Sequence, residues 1–84
     1  MEPQTYRALP VEVQAVIWTG NFADLPRHWR TKNQLHMVGD RLQVETIHGP
    51  MSPEIGDYLV LGVAGEFYPM PRAIFSYRYA EAKA

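Results

Sequence analysis

The chain contains no cysteine. Disulfides, cysteine zinc ribbons and thiol catalysis are therefore excluded, and the fold must hold by packing alone. It also lacks an excess of either charge: eight Lys and Arg stand against nine Asp and Glu, for a formal charge of −1. Nucleic-acid binders draw most of their affinity from phosphate contacts made by a basic face. Here only Arg27, Arg30 and Lys32 are loosely grouped, which leaves room for one small patch and argues against general nucleic-acid binding. No apolar run approaches the ~20 residues that span a bilayer. The opening MEPQTYRALP lacks the basic-then-apolar order of a signal peptide. The expectation is a soluble intracellular protein without membrane contact.

Motifs that carry chemistry are equally scarce. There is no GxxxxGK[ST] phosphate loop, and Gly62-Val63-Ala64-Gly65 falls within a hairpin pattern rather than at a helix start. Ser52 and Ser76 have no GxSxG elbow around them. His28, His36 and His48 share no HxH or HExxH spacing. His36 and His48 could meet across a meander with Asp40 or Glu45 as metal ligands, but exposed strand histidines are the simpler reading. Asp57 and Glu66 could divide acid and base roles if their environments pushed their pKa values apart. More simply, Asp57 after Gly56 caps a turn, and Glu66 sits in water beside a hairpin loop. The expectation is a non-enzyme without cofactor or metal.

What is present is a folding composition. In 84 residues, 46% are apolar and five Tyr, three Phe and two Trp supply the aromatics, enough for one globular domain over 1–84. So short a chain buries roughly two-thirds of its unfolded surface, so its core is thin and a partner subunit would help. Val11 to Trp18 reads as a strand, with Val11, Val13, Ala15 and Ile17 on one face and burial on both sides toward Trp18. Pro10 suits the start of a strand. Thr19-Gly20-Asn21 is a turn. A short helix is expected over 25–31 with Asp24 as N-cap and Pro26 in its first turn. Leu25 and Trp29 then share a face and pack on the sheet.

From Leu35 the chain reads as a meander. Gly39-Asp40 is a two-residue hairpin signal. It pairs Met37 with Leu42 and Leu35 with Val44, which gathers four apolar side chains on one face. A second turn at Gly49-Pro50 would pair His48 with Met51. Asp57 to Val63 is apolar on both faces, as a central strand should be. A turn at Ala64-Gly65 would set Gly62 opposite Phe67 and Leu61 opposite Tyr68. A last strand from Ile74 to Tyr79 places Phe75, Tyr77 and Tyr79 together. Residues 1–9 and 80–84 read as flexible ends. The fold class is α+β: a small curled antiparallel sheet, roll or partial barrel, of about five to six strands with one short helix.

The aromatics exceed what so small a core needs, and tyrosines favour a wet hydroxyl. Aromatic and arginine side chains are common interface anchors. Trp18, Asp57, Glu66, Phe67, Tyr68, Arg72 and Arg78 are the candidate binding surface, weighed against a purely structural core.

The stretch GDYLVLGVAGEFYPMPRAIF, residues 56–75, resembles the signature of a family of small phage and prophage proteins reading roughly PGDWIIRGVxGEFYPCKPDIF. Those proteins begin with a strand ending in QWTG, similar to PVEVQAVIWTG at Pro10–Gly20. The match is specific at Gly56-Asp57, Gly62-Val63, Gly65 to Pro69 and Ile74-Phe75; residues 21–50 match in layout alone. Ile55, Leu61 and Met70 depart from the Pro, Arg and Cys usual there. Met70 removes a thiol, and Leu61 removes a charge that would suit a phosphate. The resemblance implies a phage origin and a shared fold, and no particular reaction. It leads to the expectation of an accessory binding protein in the host cell cytoplasm. Such a protein sequesters or blocks a host protein or a small nucleotide signal, in counter-defence or host takeover. A homo-oligomer would bring Arg72 or Arg78 together across an interface. The alternative is a minor virion or assembly protein.

Overall fold

Leu35–Val38 (β2) and Arg41–Thr46 (β3) fold back on each other about Gly39-Asp40. Gly39 takes the left-handed φ of 63° that a tight turn needs. Leu35 faces Val44 and Met37 faces Leu42, as the alternation predicts. Leu35, Leu42 and Val44 are buried, while His36, Val38 and Arg41 on the other face are exposed. Here the turn and the hydrophobic pattern agree, so the register is fixed twice over.

These strands belong to a computed structural model that describes residues 2–5 and 11–79. Before them come Gln14–Ile17 (β1) and a 3-10 turn at Phe22–Asp24; after them come Gly49–Met51 (β4), Tyr58–Leu61 (β5), Phe67–Met70 (β6) and the helix Arg72–Arg78 (α1). The protein is a small α+β fold, mostly β. Among the described residues six strands form two open antiparallel sheets, ordered β1-β5-β6 and β2-β3-β4. The flexible ends expected over 1–9 and 80–84, and Pro10 as a strand start, lie outside the described residues, save that residues 2–5 carry no regular structure.

Both sheets turn an apolar face inward, and β3 lies against β6. Leu35, Leu42 and Val44 from one sheet meet Leu59 and Phe67 from the other, with Trp18, Leu25 and Trp29 completing the cluster. Trp29 meets Phe67 edge to face, with ring centroids 5.1 Å apart. β5 is the centre of its sheet, and its apolar character on both faces has a cause on each side. Leu59 faces the core. Tyr58 and Val60 face outward, where Phe75 of α1 stacks on Tyr58 at 3.9 Å between centroids.

Five local expectations are corrected. β1 turns Val16 and Trp18 to the core, while Ile17 stays 38% exposed, so Trp18 is not flanked by burial on both sides. No α-helix forms over 25–31: Leu25, ahead of Pro26, is extended at φ −69° and ψ 151°, as the proline ring demands. Asn21 rather than Asp24 is the cap, accepting the Ala23 N–H at 3.1 Å. After Pro26 a single turn forms, with the Trp29 and Arg30 N–H groups donating to the Pro26 carbonyl at 2.9 and 3.2 Å. Too few residues follow to repay helix nucleation, yet Leu25 and Trp29 are both buried as expected.

The β3–β4 turn lies at Ile47-His48, not Gly49-Pro50, and Met51 pairs with Val44. The Thr46 hydroxyl holds it, donating to the Gly49 carbonyl at 2.7 Å and accepting the His48 N–H at 3.1 Å. The β5–β6 register is one residue away from expectation: Leu61 pairs with Phe67 and Val60 with Tyr68. A one-residue slip reverses every side chain, and here it sends Phe67 into the core. Its source is a three-residue loop, Val63 to Gly65. The Gly65 N–H donates to Gly62 at 3.1 Å, and Gly65 takes a φ of 81°. Finally, 72–78 is helix rather than strand. Phe75 and Tyr79 share a face at i, i+4 spacing, with Tyr77 turned out at 92% exposure.

Gly62 therefore opposes Glu66, not Phe67. A Cβ at Gly62 would overlap the Glu66 carboxylate, whose Oε1 accepts the Ala64 N–H at 3.3 Å. Gly62→Ala is expected to cost on the order of 1 kcal/mol by pushing that carboxylate off the loop. Urea unfolding of Gly62→Ala, Glu66→Ala and the double variant checks this. The double variant should cost less than the sum of the two singles.

Candidate functional site: a groove between the two hairpin tips

Two turns, one from each sheet, contribute residues to one groove. The β3–β4 turn brings Thr46, Ile47 and His48; the β5–β6 loop brings Gly62, Val63 and Glu66. Between them lies an open groove of about 500 Å³. Val11, Val13, Met51, Phe67, Tyr68 and Pro69 complete its lining, with Tyr79 at the end of α1. The lining is mainly apolar. Ile47 is 87% exposed and Val63 71%, because each sits at a hairpin tip where no second layer reaches it. Apolar side chains gathered on one exposed concave surface make this groove the candidate binding site.

Polar groups are few and set into this surface. The hydroxyls of Tyr68 and Tyr79 lie 3.5 Å apart, and either can donate to the other. Burial, then the hydrogen bond to Tyr79, then the charge of Glu66 push the Tyr68 phenol from its ordinary 10.0 up to about 12, against a smaller opposing pull from Arg78. The folded state thus favours the neutral phenol. That contribution to stability is complete below pH 10 and is lost as the pH rises from 10 through about 12. A spectrophotometric titration of the phenolates should show a late step toward pH 12, and Tyr68→Phe should remove it.

The structure divides the candidate binding residues. Trp18 and Phe67 are 2% and 1% exposed; both are core residues, and this corrects their assignment to a contact surface. Phe67 contributes to the groove lining while almost wholly buried. Asp57 lies at the far end of β5, where its Oδ2 accepts the Glu54 N–H at 3.0 Å and its carbonyl accepts the Trp18 N–H at 2.8 Å. It caps a turn and does not line the groove. Glu66 and Tyr68 do line it. Asp57 and Glu66 flank opposite ends of the β5–β6 ladder, so no carboxylate pair assembles. Arg72 and Arg78 are exposed on α1, outside the groove lining.

His36 lies on the outer face of its sheet, 3.7 Å from Glu45, whereas His48 belongs to the groove. Among the described residues no three His, Asp or Glu gather as metal ligands, and no helix is long and apolar enough to cross a membrane. Sequence reasoning missed Ile47, Val63, Met51 and Tyr79 as groove residues. The signal at the first two was an aliphatic side chain at a turn tip, where polar residues are the rule.

No protein-family model, curated protein or solved structure matches the chain.

Proposed function

We propose that this chain is a small phage-encoded accessory protein that acts by binding and not by catalysis. In this reading the groove engages an apolar segment of a host protein, sequestering or blocking it in the host cytoplasm. The supporting observation is the groove itself, with Ile47 and Val63 held in water on two hairpin tips. A binding surface that keeps aliphatic groups exposed gains on association by removing them from water. Set-in polar groups, Glu66, His48 and the Tyr68–Tyr79 hydroxyls, fix orientation.

A host polypeptide fits this lining better than a nucleotide signal. Phosphates call for cations around them, and among the described lining residues there is no Lys or Arg. The phage origin rests on the resemblance of residues 56–75 and of the N-terminal strand.

Native mass spectrometry of the tagged protein, purified gently from bacterial host cells, tests the reading. A stoichiometric host polypeptide is the expected result. An added mass of a few hundred daltons would replace the protein partner with a nucleotide-like ligand. A bare chain that co-purifies with phage particles would overturn the proposal in favour of a virion or assembly role.

A further inference from the structure

Among the described residues the two open sheets have four outer edges, and three of them are less suited to another strand than the fourth. β4 is three residues long and centred on Pro50, and β6 contains Pro69; a proline offers no N–H to a neighbour. In β2, Gln34 accepts the Glu45 N–H, so by alternation Leu35 and Met37 aim their backbone groups outward. The Leu35 N–H is already used, donating to the Lys32 carbonyl at 3.2 Å.

β1 differs. The Trp18 N–H donates to Asp57 at 2.8 Å and the Trp18 carbonyl accepts from Gly56 at 2.9 Å, so Trp18 faces β5. Backbone groups alternate along an antiparallel strand. Gln14 and Val16 therefore also face β5, while Val13, Ala15 and Ile17 aim N–H and C=O groups at the open edge. Among the described residues no strand pairs with that edge. From Val13 to Ile17 there is no Pro, Lys, Arg, Asp or Glu, none of the devices that keep an exposed edge from pairing.

The geometry points to antiparallel pairing of β1 with β1 of a second copy of this chain, joining two three-stranded sheets into one of six. The segment is self-complementary about Ala15. A two-fold axis there sets the smallest side chain against itself and places Val13 beside Ile17 of the second copy, two β-branched residues in a favourable cross-strand pair. On the opposite face Gln14 meets Val16, and Glu12 meets Trp18 rather than another carboxylate. Both copies of α1 then lie on one face of the joined sheet. The pairing shares Val13 with the groove lining but is tested at Ile17, which lies outside that lining, so its failure is distinguishable from failure of the groove proposal.

Size-exclusion chromatography with light scattering, over a concentration series, tests it. The unmodified protein is expected to be a dimer, Ile17→Lys a folded monomer, and Val38→Lys on β2 still a dimer. A monomer at every concentration, or an undiminished Ile17→Lys dimer, overturns the pairing. If Ile17→Lys does not fold, amide exchange by NMR on the unmodified protein decides. The Val13, Ala15 and Ile17 amides should exchange on the order of tenfold or more slower than loop amides. Exchange as fast as the loops at every concentration contradicts the proposal.

Discussion

Trp29→Ala should destabilise the protein by about 3–5 kcal/mol, the range for losing a fully buried large aromatic. Small domains hold about 0.05–0.15 kcal/mol per residue, so this single change removes much of the stability of a chain of 84 residues. Trp29 is fully buried, and its ring is packed edge-on against Phe67. It hangs from the turn after Pro26, not from a sheet. Removing it therefore takes away one of the contacts, beside those of Leu25 and Phe22, that hold the 22–32 segment over the core. Among the described residues the buried indole N–H of Trp29 has no hydrogen-bond partner, and an unmade buried bond carries its own cost. Trp29→Phe, which keeps a ring against Phe67 and removes that donor, should cost less than half as much as the alanine. Urea midpoints at constant m-value distinguish the two.

Phe75→Ala should be the second large effect, at about 2–3 kcal/mol. Its ring lies on Tyr58 with planes 18° apart and touches Tyr79 at 5.0 Å. A seven-residue helix has little stability of its own, so α1 stays in place through these contacts. Losing them should release the helix and withdraw Tyr79 from Tyr68. Two readouts should then move together: the unfolding midpoint falls, and the late tyrosine titration returns toward the ordinary value. Tyr77→Ala, on the same helix but pointing into water, should change stability by no more than about 0.5 kcal/mol.

The fold was most legible where two independent signals coincided. At Gly39-Asp40 the turn chemistry and the alternation of Leu35, Met37, Leu42 and Val44 specify one register, and that register forms. At Val63-Ala64-Gly65 the turn signal stood alone. A two- and a three-residue loop both use the left-handed Gly65, and they differ by the one residue that sends Phe67 inward or outward. The final segment misled for a different reason. Phe75, Tyr77 and Tyr79 alternate like a strand, while Phe75 and Tyr79 also satisfy a helical repeat; Pro71 ahead of them was the helix-start signal.

The candidate site was only half legible. Glu66 and Tyr68 were identifiable from their place on the GEFYP hairpin. Aromatic type alone does not say which way a ring points, so the sequence offers Trp18 and Phe67 as surface anchors while the structure buries both. Ile47 and Val63 were invisible as a pair because they lie on different hairpins, and only the packing of β3 against β6 brings them to one groove. The 56–69 segment is thus a core hairpin through Leu59 and Phe67 and a groove wall through Val63, Glu66 and Tyr68.

The central claim is that this groove is where the protein binds its partner. The most direct measurement compares the polypeptide retained from host cells by the unmodified protein, by the Ile47→Asp/Val63→Asp double variant, and by Val38→Asp as a control. Both groove positions are highly exposed at hairpin tips, so the charges should leave the unfolding midpoint within about 0.5 kcal/mol of the original. The account predicts that the unmodified protein and the control retain the same stoichiometric polypeptide and that the double variant loses it. Equal retention by the folded double variant, or no partner retained by any of the three, would contradict it.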